Sequence, residues 1–230
     1  EKPSIIFTTS SITSISLVVD MAILPDQASI AYSRKFKIYM KNDLQEILLP
    51  KEKIQQRIEC LGEEIDREYQ SQEIVLITLL DGAIVFTADL IRHLSIPLRL
   101  DCIRVSSYGN SINPETAPRI LSHLKTDVSG KHVLLVDDIL DTGQTMLKTR
   151  NEVISAKPAS VRTCVFLDKP DRRQNALKAD WVGFTIPDEF VVGYGLDYAG
   201  RYRQLPYVAT LKPHVYQNNP TSSLQTACEN

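Results

Sequence analysis

The chain has 230 residues, 43% of them hydrophobic and 23% charged, enough to bury a sizeable core and unlike a disordered or fibrous protein. Lys and Arg number 26 against 28 Asp and Glu, a formal net charge of −2; this excludes a general nucleic-acid or membrane-surface binder but not a local basic pocket for phosphates. The longest apolar run, Ile15–Leu24, is short and broken by Asp20, and the four cysteines form no C-x-x-C pair, so a membrane span, structural zinc and a disulfide scaffold are not expected, and a soluble protein of a reducing compartment is.

In chain order, residues 1–39 read as an N-terminal extension, poorly ordered or presequence-like. Residues 4–16 are hydroxyl-rich and acid-free, but Asp20, Asp26 and the scarcity of arginine weaken the targeting reading. A compact domain is expected over residues 40–212. Pro50–Tyr69 places Ile54, Ile58, Leu61, Ile65 and Tyr69 at helical spacing, an amphipathic helix opened by a proline. Glu73–Leu80 is an apolar run of strand length, and Ala83–Leu94 returns to a helical pattern. Leu98–Val105, Lys131–Val136 and Ser160–Leu167 read as further strands, with a helix over Gly143–Ala156 between the last two. Residues 213–230, with Asn218-Asn219-Pro220, read as a disordered tail. Strands apolar on both faces and separated by helices predict an α/β fold with a mainly parallel central sheet flanked by helices. Ligands of such sheets gather at the carboxyl ends of the strands, which directs attention to the loops after Leu80, Val105, Val136 and Leu167.

Val133–Met146, VLLVDDILDTGQTM, is the most informative stretch. An apolar strand runs into Asp137-Asp138, and a helix opens after Asp141, Thr142, Gly143, Gln144 and Thr145. Gly143 permits a tight turn, and the amides of residues 141–145 can converge with the helix N-terminus as a cradle for a phosphate monoester. Three carboxylates beside such a cradle would repel an anion. Ribose hydroxyls or a magnesium ion resolve the conflict, because both accept carboxylate oxygens. The alternative, a D-D-x-x-D magnesium motif, needs a long helix to bring its acids onto one face, whereas here VLLV precedes the acids as a strand and Gly143 stands where that helix would have to continue.

With these residues in place, the stretch resembles the phosphoribosyl-pyrophosphate motif of type I phosphoribosyltransferases. Residues 168–203 (DKPDRR and ADWVGFTIPDEFVVGYGLDYAGRYR within them), LLDGAIVFTADL at 79–90 and SSYGNS at 106–111 narrow the resemblance to hypoxanthine-guanine phosphoribosyltransferases, over about Leu48–Leu211. The resemblance implies the type I fold with a small hood subdomain. It also implies transfer of the phosphoribosyl group to N9 of a 6-oxopurine, with Mg²⁺ as cofactor, in purine salvage. By the same match, Asp137 and Asp138 would hold the ribose hydroxyls and associated magnesium, Asp141 would act as acid/base at purine N7, and Asp141, Thr142, Gly143, Gln144 and Thr145 would take the 5′-phosphate. Lys169 would meet the 6-oxo group, Phe190 would stack on the base, and Val191 would read it through its backbone. Asp197 would bind the pyrophosphate-side magnesium, with its backbone near the base's exocyclic edge, and Arg203 would grip pyrophosphate. Leu80-Asp81-Gly82 would form the pyrophosphate loop, with a cis peptide before its second residue. Relatives often carry Lys or Arg where this chain has Asp81, so only a backbone role is carried over there. Ser107 and Tyr108 would open a closing lid.

The partners implied are phosphoribosyl pyrophosphate and 6-oxopurine bases, without nucleic acid or membrane, in a cytoplasmic homo-dimer or homo-tetramer; an organellar location is implied instead if residues 1–39 are a presequence. The competing reading is a regulator that keeps the fold and binds phosphoribosyl pyrophosphate without catalysis, since fold alone does not fix function.

Overall fold

The computed structural model describes residues 42–106, 119–121 and 124–217. The predicted lid residues Ser107 and Tyr108, the extension over residues 1–39 and the tail beyond residue 217 lie outside the described residues. The described elements are β1 (Leu44–Leu49), α1 (Lys51–Tyr69), β2 (Ile74–Leu80), α2 (Ile84–Leu90), β3 (Leu98–Ser106), β4 (Arg119–Ile120), β5 (His132–Leu140), α3 (Gln144–Ser155), β6 (Ser160–Asp168), β7 (Trp181–Thr185), β8 (Val191–Val192), β9 (Val208–Leu211) and α4 (Pro213–Gln217). Short 3₁₀ turns lie at Ile91–His93 and Pro170–Arg172.

The central sheet has the order β4-β3-β2-β5-β6-β7. Its strands are parallel except for β4, which runs antiparallel to β3. The period-2 alternation of β5 explains why residues 133–136 are a continuous apolar run, buried on both faces. Leu134 and Val136 pack with Ile54, Ile58, Leu61 and Ile65 of α1 and Phe86 and Leu90 of α2. Val133 and Leu135 face the other way, in a second cluster with Met146 and Val153 of α3. The apolar stripe expected on α1 is the buried one, including Tyr69. Arg57, on the same helix, donates to the carbonyls of Val182 (2.8 Å) and Gly183 (3.1 Å) on β7, satisfying backbone groups of the edge strand.

A second, three-stranded antiparallel sheet, β1-β9-β8, joins the first described strand to the last two. Tyr194, just beyond β8, donates from its hydroxyl to Asp89 Oδ2 of α2 at 2.6 Å, tying this smaller sheet to the main body.

Three boundaries differ from the sequence reading. β5 continues past Val136 to Leu140, because β6 extends the ladder through Asp137↔Val165 and Ile139↔Leu167 after pairing with β2 stops at Thr78↔Val136. Asp137 and Asp138 therefore stand on a one-sided strand extension rather than in a loop. The helical pattern after Ala83 tightens to a 3₁₀ turn at Ile91–His93 and ends at Leu94. The tail expected to be disordered from residue 213 instead begins with α4, whose Tyr216 ring stacks on Phe190 at 5.0 Å between centroids.

Candidate active site

The loop from Asp141 to Thr145 joins β5 to α3. Gly143 adopts φ 82°, a left-handed conformation that side chains resist, and a Cβ there would also meet Asn175 Oδ1 at 2.8 Å. The segment after the Pro170–Arg172 turn braces the loop from outside. Arg173 Nη1 donates to the Asp141 carbonyl at 2.9 Å, and the Gln174 amide and Asn175 Nδ2 donate to the Thr142 carbonyl at 3.0 and 3.3 Å. A trans peptide carries its N–H opposite its C=O. The amides of Thr142 and Gly143 are thereby turned away from the brace, next to the N-terminus of α3. This is the geometry an anion cradle requires.

The acids just upstream are differently placed. Asp137 is buried, and its Oδ1 accepts from the Asp138 amide at 2.9 Å; Asp138 Oδ1 accepts from the Ile139 amide at 2.8 Å. Burial first, and then the Asp138 charge, push the Asp137 carboxyl well above the ordinary range. Burial also raises Asp138, though its hydrogen bonds and the charge of Arg203 offset part of that rise. The pair is short of positive charge. Hard oxygen donors in that state suit a magnesium ion that completes its shell with substrate oxygens and water. Among the described residues no group of three or more His, Cys, Asp or Glu side chains forms a ready-made cage.

The loop after β2 closes on this pair. The Leu80–Asp81 peptide is cis, and a Cβ at Gly82 would lie 1.6 Å from Asp138 Oδ2, so only glycine allows this approach. From the other side a Cβ at Gly195, φ 99°, would strike the Gly82 carbonyl at 2.2 Å. Arg203 Nη1 donates to the Gly195 carbonyl at 2.6 Å, and its Nη2 lies 2.7 Å from Asp197 Oδ1. Leu80, Asp81, Gly82, Asp138, Asp197 and Arg203 are thus joined through one set of contacts. The Asp81 side chain turns to Arg104 at the end of β3, with Oδ1 2.7 Å from Nη2.

A third group flanks the cradle. Lys169 is buried, and its amide donates to the Leu140 carbonyl at 3.0 Å while Nζ donates to the Glu189 carbonyl at 2.7 Å. Burial lowers its pKa, partly offset by Asp141 and Asp188. Phe190 is exposed on one side, covered by Tyr216 on a face and met edge-on by Tyr198 at 5.4 Å. Val191 is buried, with its backbone in the β8–β9 ladder opposite Thr210. Arg172 links this group to the cradle. Its Nε lies 2.7 Å from Asp141 Oδ1, and its Nη1 donates to Asp188 Oδ1 at 3.3 Å. Burial works against the Arg172 charge, but Asp141 and Asp188 outweigh it and hold its pKa above the ordinary value.

Sequence reasoning passed over Arg172, Arg173, Arg104 and Asp188. The signal available for the first two was the density of cations in Lys169-Pro170-Asp171-Arg172-Arg173, immediately downstream of a strand end.

The phosphoribosyl transferase domain model matches residues 45–199. The chain is 44% identical over 179 residues to the hypoxanthine-guanine phosphoribosyltransferase of Bacillus subtilis, covering 78% of this chain and 99% of that one. It is 43% identical over 181 residues to the Mycobacterium tuberculosis protein of the same name, covering 76% of this chain and 90% of that one. Among solved structures, the hypoxanthine phosphoribosyltransferase of Staphylococcus aureus superposes with a TM-score of 0.75 at 42% identity, covering 78% of this chain and 98% of that one. The chain is therefore a member of the phosphoribosyl transferase family, in its hypoxanthine-guanine branch.

Proposed function

We propose that the protein is a purine-salvage enzyme that transfers the 5-phosphoribosyl group of phosphoribosyl pyrophosphate to N9 of hypoxanthine or guanine, giving IMP or GMP and pyrophosphate. The observation that carries this reading is the meeting of three unlike features at one end of the sheet. An anion cradle at residues 141–145, a carboxylate pair short of cations, and a loop pressed on that pair through Gly82 together match a ligand with a phosphate, a diol and a second anionic arm. Named relatives of similar length support the same activity.

The transition state places positive charge on the ribose, so fixed carboxylates near it favour bond breaking more than bound substrate does. Asp137 and Asp138 take the ribose hydroxyls, the amides of residues 142–145 take the 5′-phosphate, and the backbone of Leu80-Asp81-Gly82 with Arg203 takes pyrophosphate. Asp141 accepts the proton of purine N7, which leaves N9 the better nucleophile. Lys169 donates to the 6-oxo group and Phe190 packs on the ring. Asp137, Asp138 and Asp197 are the residues that would hold a magnesium ion, which when bound would supply charge neutralisation for the leaving pyrophosphate. No helix among the described residues is long and apolar enough to cross a membrane; a cytoplasmic homo-dimer or homo-tetramer is the assembly we propose, to be measured by light scattering.

The deciding experiment is pyrophosphate release with hypoxanthine, guanine and xanthine in turn. Turnover of a 6-oxopurine is expected. A protein that binds phosphoribosyl pyrophosphate yet turns over no base is instead the non-catalytic regulator, a reading the named relatives do not support.

A further inference from the structure

We propose that Arg172 is a positioning residue that sets the orientation of the Asp141 carboxylate and couples it to the segment that receives the base. The proposal rests on the reading of Asp141 as the acid/base at N7. Its observation is a line of alternating charges. Asp141 Oδ1 lies 2.7 Å from Arg172 Nε, Arg172 Nη1 lies 3.3 and 3.5 Å from the two Asp188 oxygens, and Asp188 Oδ1 lies 3.7 Å from Lys169 Nζ. Lys169 then donates to the Glu189 carbonyl, one residue before Phe190. The two ends of this line are the groups assigned to N7 and to the 6-oxo oxygen, neighbouring atoms on one edge of the purine.

A carboxylate on a single bond rotates. Asp141 Oδ1 makes no hydrogen bond, but the Arg172 charge 2.7 Å away draws it to one side, which gives the second oxygen a preferred direction in which to accept a proton. The planar fork of Arg172 suits two acids at once in a way an ammonium does not. The Asp141 backbone is held separately, through its carbonyl, by Arg173, so Arg172 acts on the side chain alone. The Arg172 and Asp141 side chains remain 32% and 37% exposed. At that exposure an ion pair adds little to folding, which leaves orientation as its effect.

The test uses the full chain and initial rates with guanine. Arg172→Gln is expected to lower kcat about 10- to 100-fold, the span expected when a reacting carboxylate loses its orienting charge. The KM for phosphoribosyl pyrophosphate should stay within about twofold, and the melting temperature should be unchanged. Arg172→Lys, which keeps the charge but not the fork, should recover part of the loss. In an Asp141→Asn background the added Arg172→Gln should cost less than about twofold, because residues acting as a unit are not additive. An active wild type with Arg172→Gln kcat within twofold of it overturns the proposal and leaves the enzymatic reading intact, as does an undiminished loss in the Asp141→Asn background. A wild type inactive on every oxopurine overturns both.

Discussion

Two kinds of carboxylate, Asp137 with Asp138 and then Asp141, lie within five residues at the end of β5. Asp137 and Asp138 stand side by side on a strand extension, hydrogen-bonded to backbone amides and raised in pKa by burial, with the Asp138 charge adding to the rise at Asp137. Asp141, one turn of chain later, has its own cation in Arg172. The first site stores unbalanced negative charge that a ligand must relieve; the second is balanced by the protein before any ligand arrives. The difference teaches that proximity in sequence says little about electrostatic role: what matters is which neighbouring element reaches each acid.

The comparison can be broken most forcefully at Asp141. Asp141→Asn keeps the shape but loses the proton acceptor, and steady-state kinetics should show kcat with guanine or hypoxanthine reduced about 10²- to 10⁴-fold; full activity on every base would remove Asp141 from the chemistry. Gly82→Ala strikes the other site. The new methyl cannot coexist with Asp138 Oδ2, and displacing that contact by about an ångström should cost roughly 10²-fold in kcat/KM, with the fold retained by circular dichroism.

Asp137→Asn separates the two sites by stability. The native carboxyl of Asp137 titrates above its unfolded value of about 3.9, so the folded state binds more protons than the unfolded state between those two pKa values. Stability of the metal-free protein should accordingly fall as pH rises from about 4 through the native pKa. Relieving the buried charge at about pH 7.5 should raise Tm by about 2–4 °C per kcal/mol regained. Asp141→Asn should give no such gain, and equal Tm shifts in the two variants would erase the distinction. The smallest effect belongs to Arg104→Gln. Its pair with Asp81 is 58% and 52% exposed, so thermal melts should register a loss of no more than about 1 kcal/mol.

Contiguity decides what could be read from the sequence. The buried face of α1 was legible because Ile54, Ile58, Leu61, Ile65 and Tyr69 repeat at helical spacing within one segment. The turn from β5 into α3, proposed here as the phosphate cradle, was legible as a turn for the same reason, since residues 141–145 are one uninterrupted stretch. The extension of β5 was not, because it depends on how far β6 continues alongside. β1, β8 and β9 were also missed: two-residue β8 carries no periodicity, and β1 finds its partner far along the chain in β9, with Leu44 opposite Leu211. The Asp141–Arg172 pair joins residues on different sides of β6 and depends on where the Pro170–Arg172 turn aims its side chains. Asp81, puzzling in a loop assigned to an anion, becomes intelligible with Arg104 beside it, a neighbour brought by the β2–β3 register Leu80↔Arg104.

The stacking of Tyr216 on Phe190 has a practical corollary for anyone shortening or extending this chain. Cutting before Pro213 would strip an aromatic lining from the ring assigned to the base, and bulky sequence grafted onto α4 would load that same ring from behind. Purine affinity should therefore be compared among versions that share an identical stretch from Lys212 to Gln217, lest an engineering choice at the far end be mistaken for a property of the pocket.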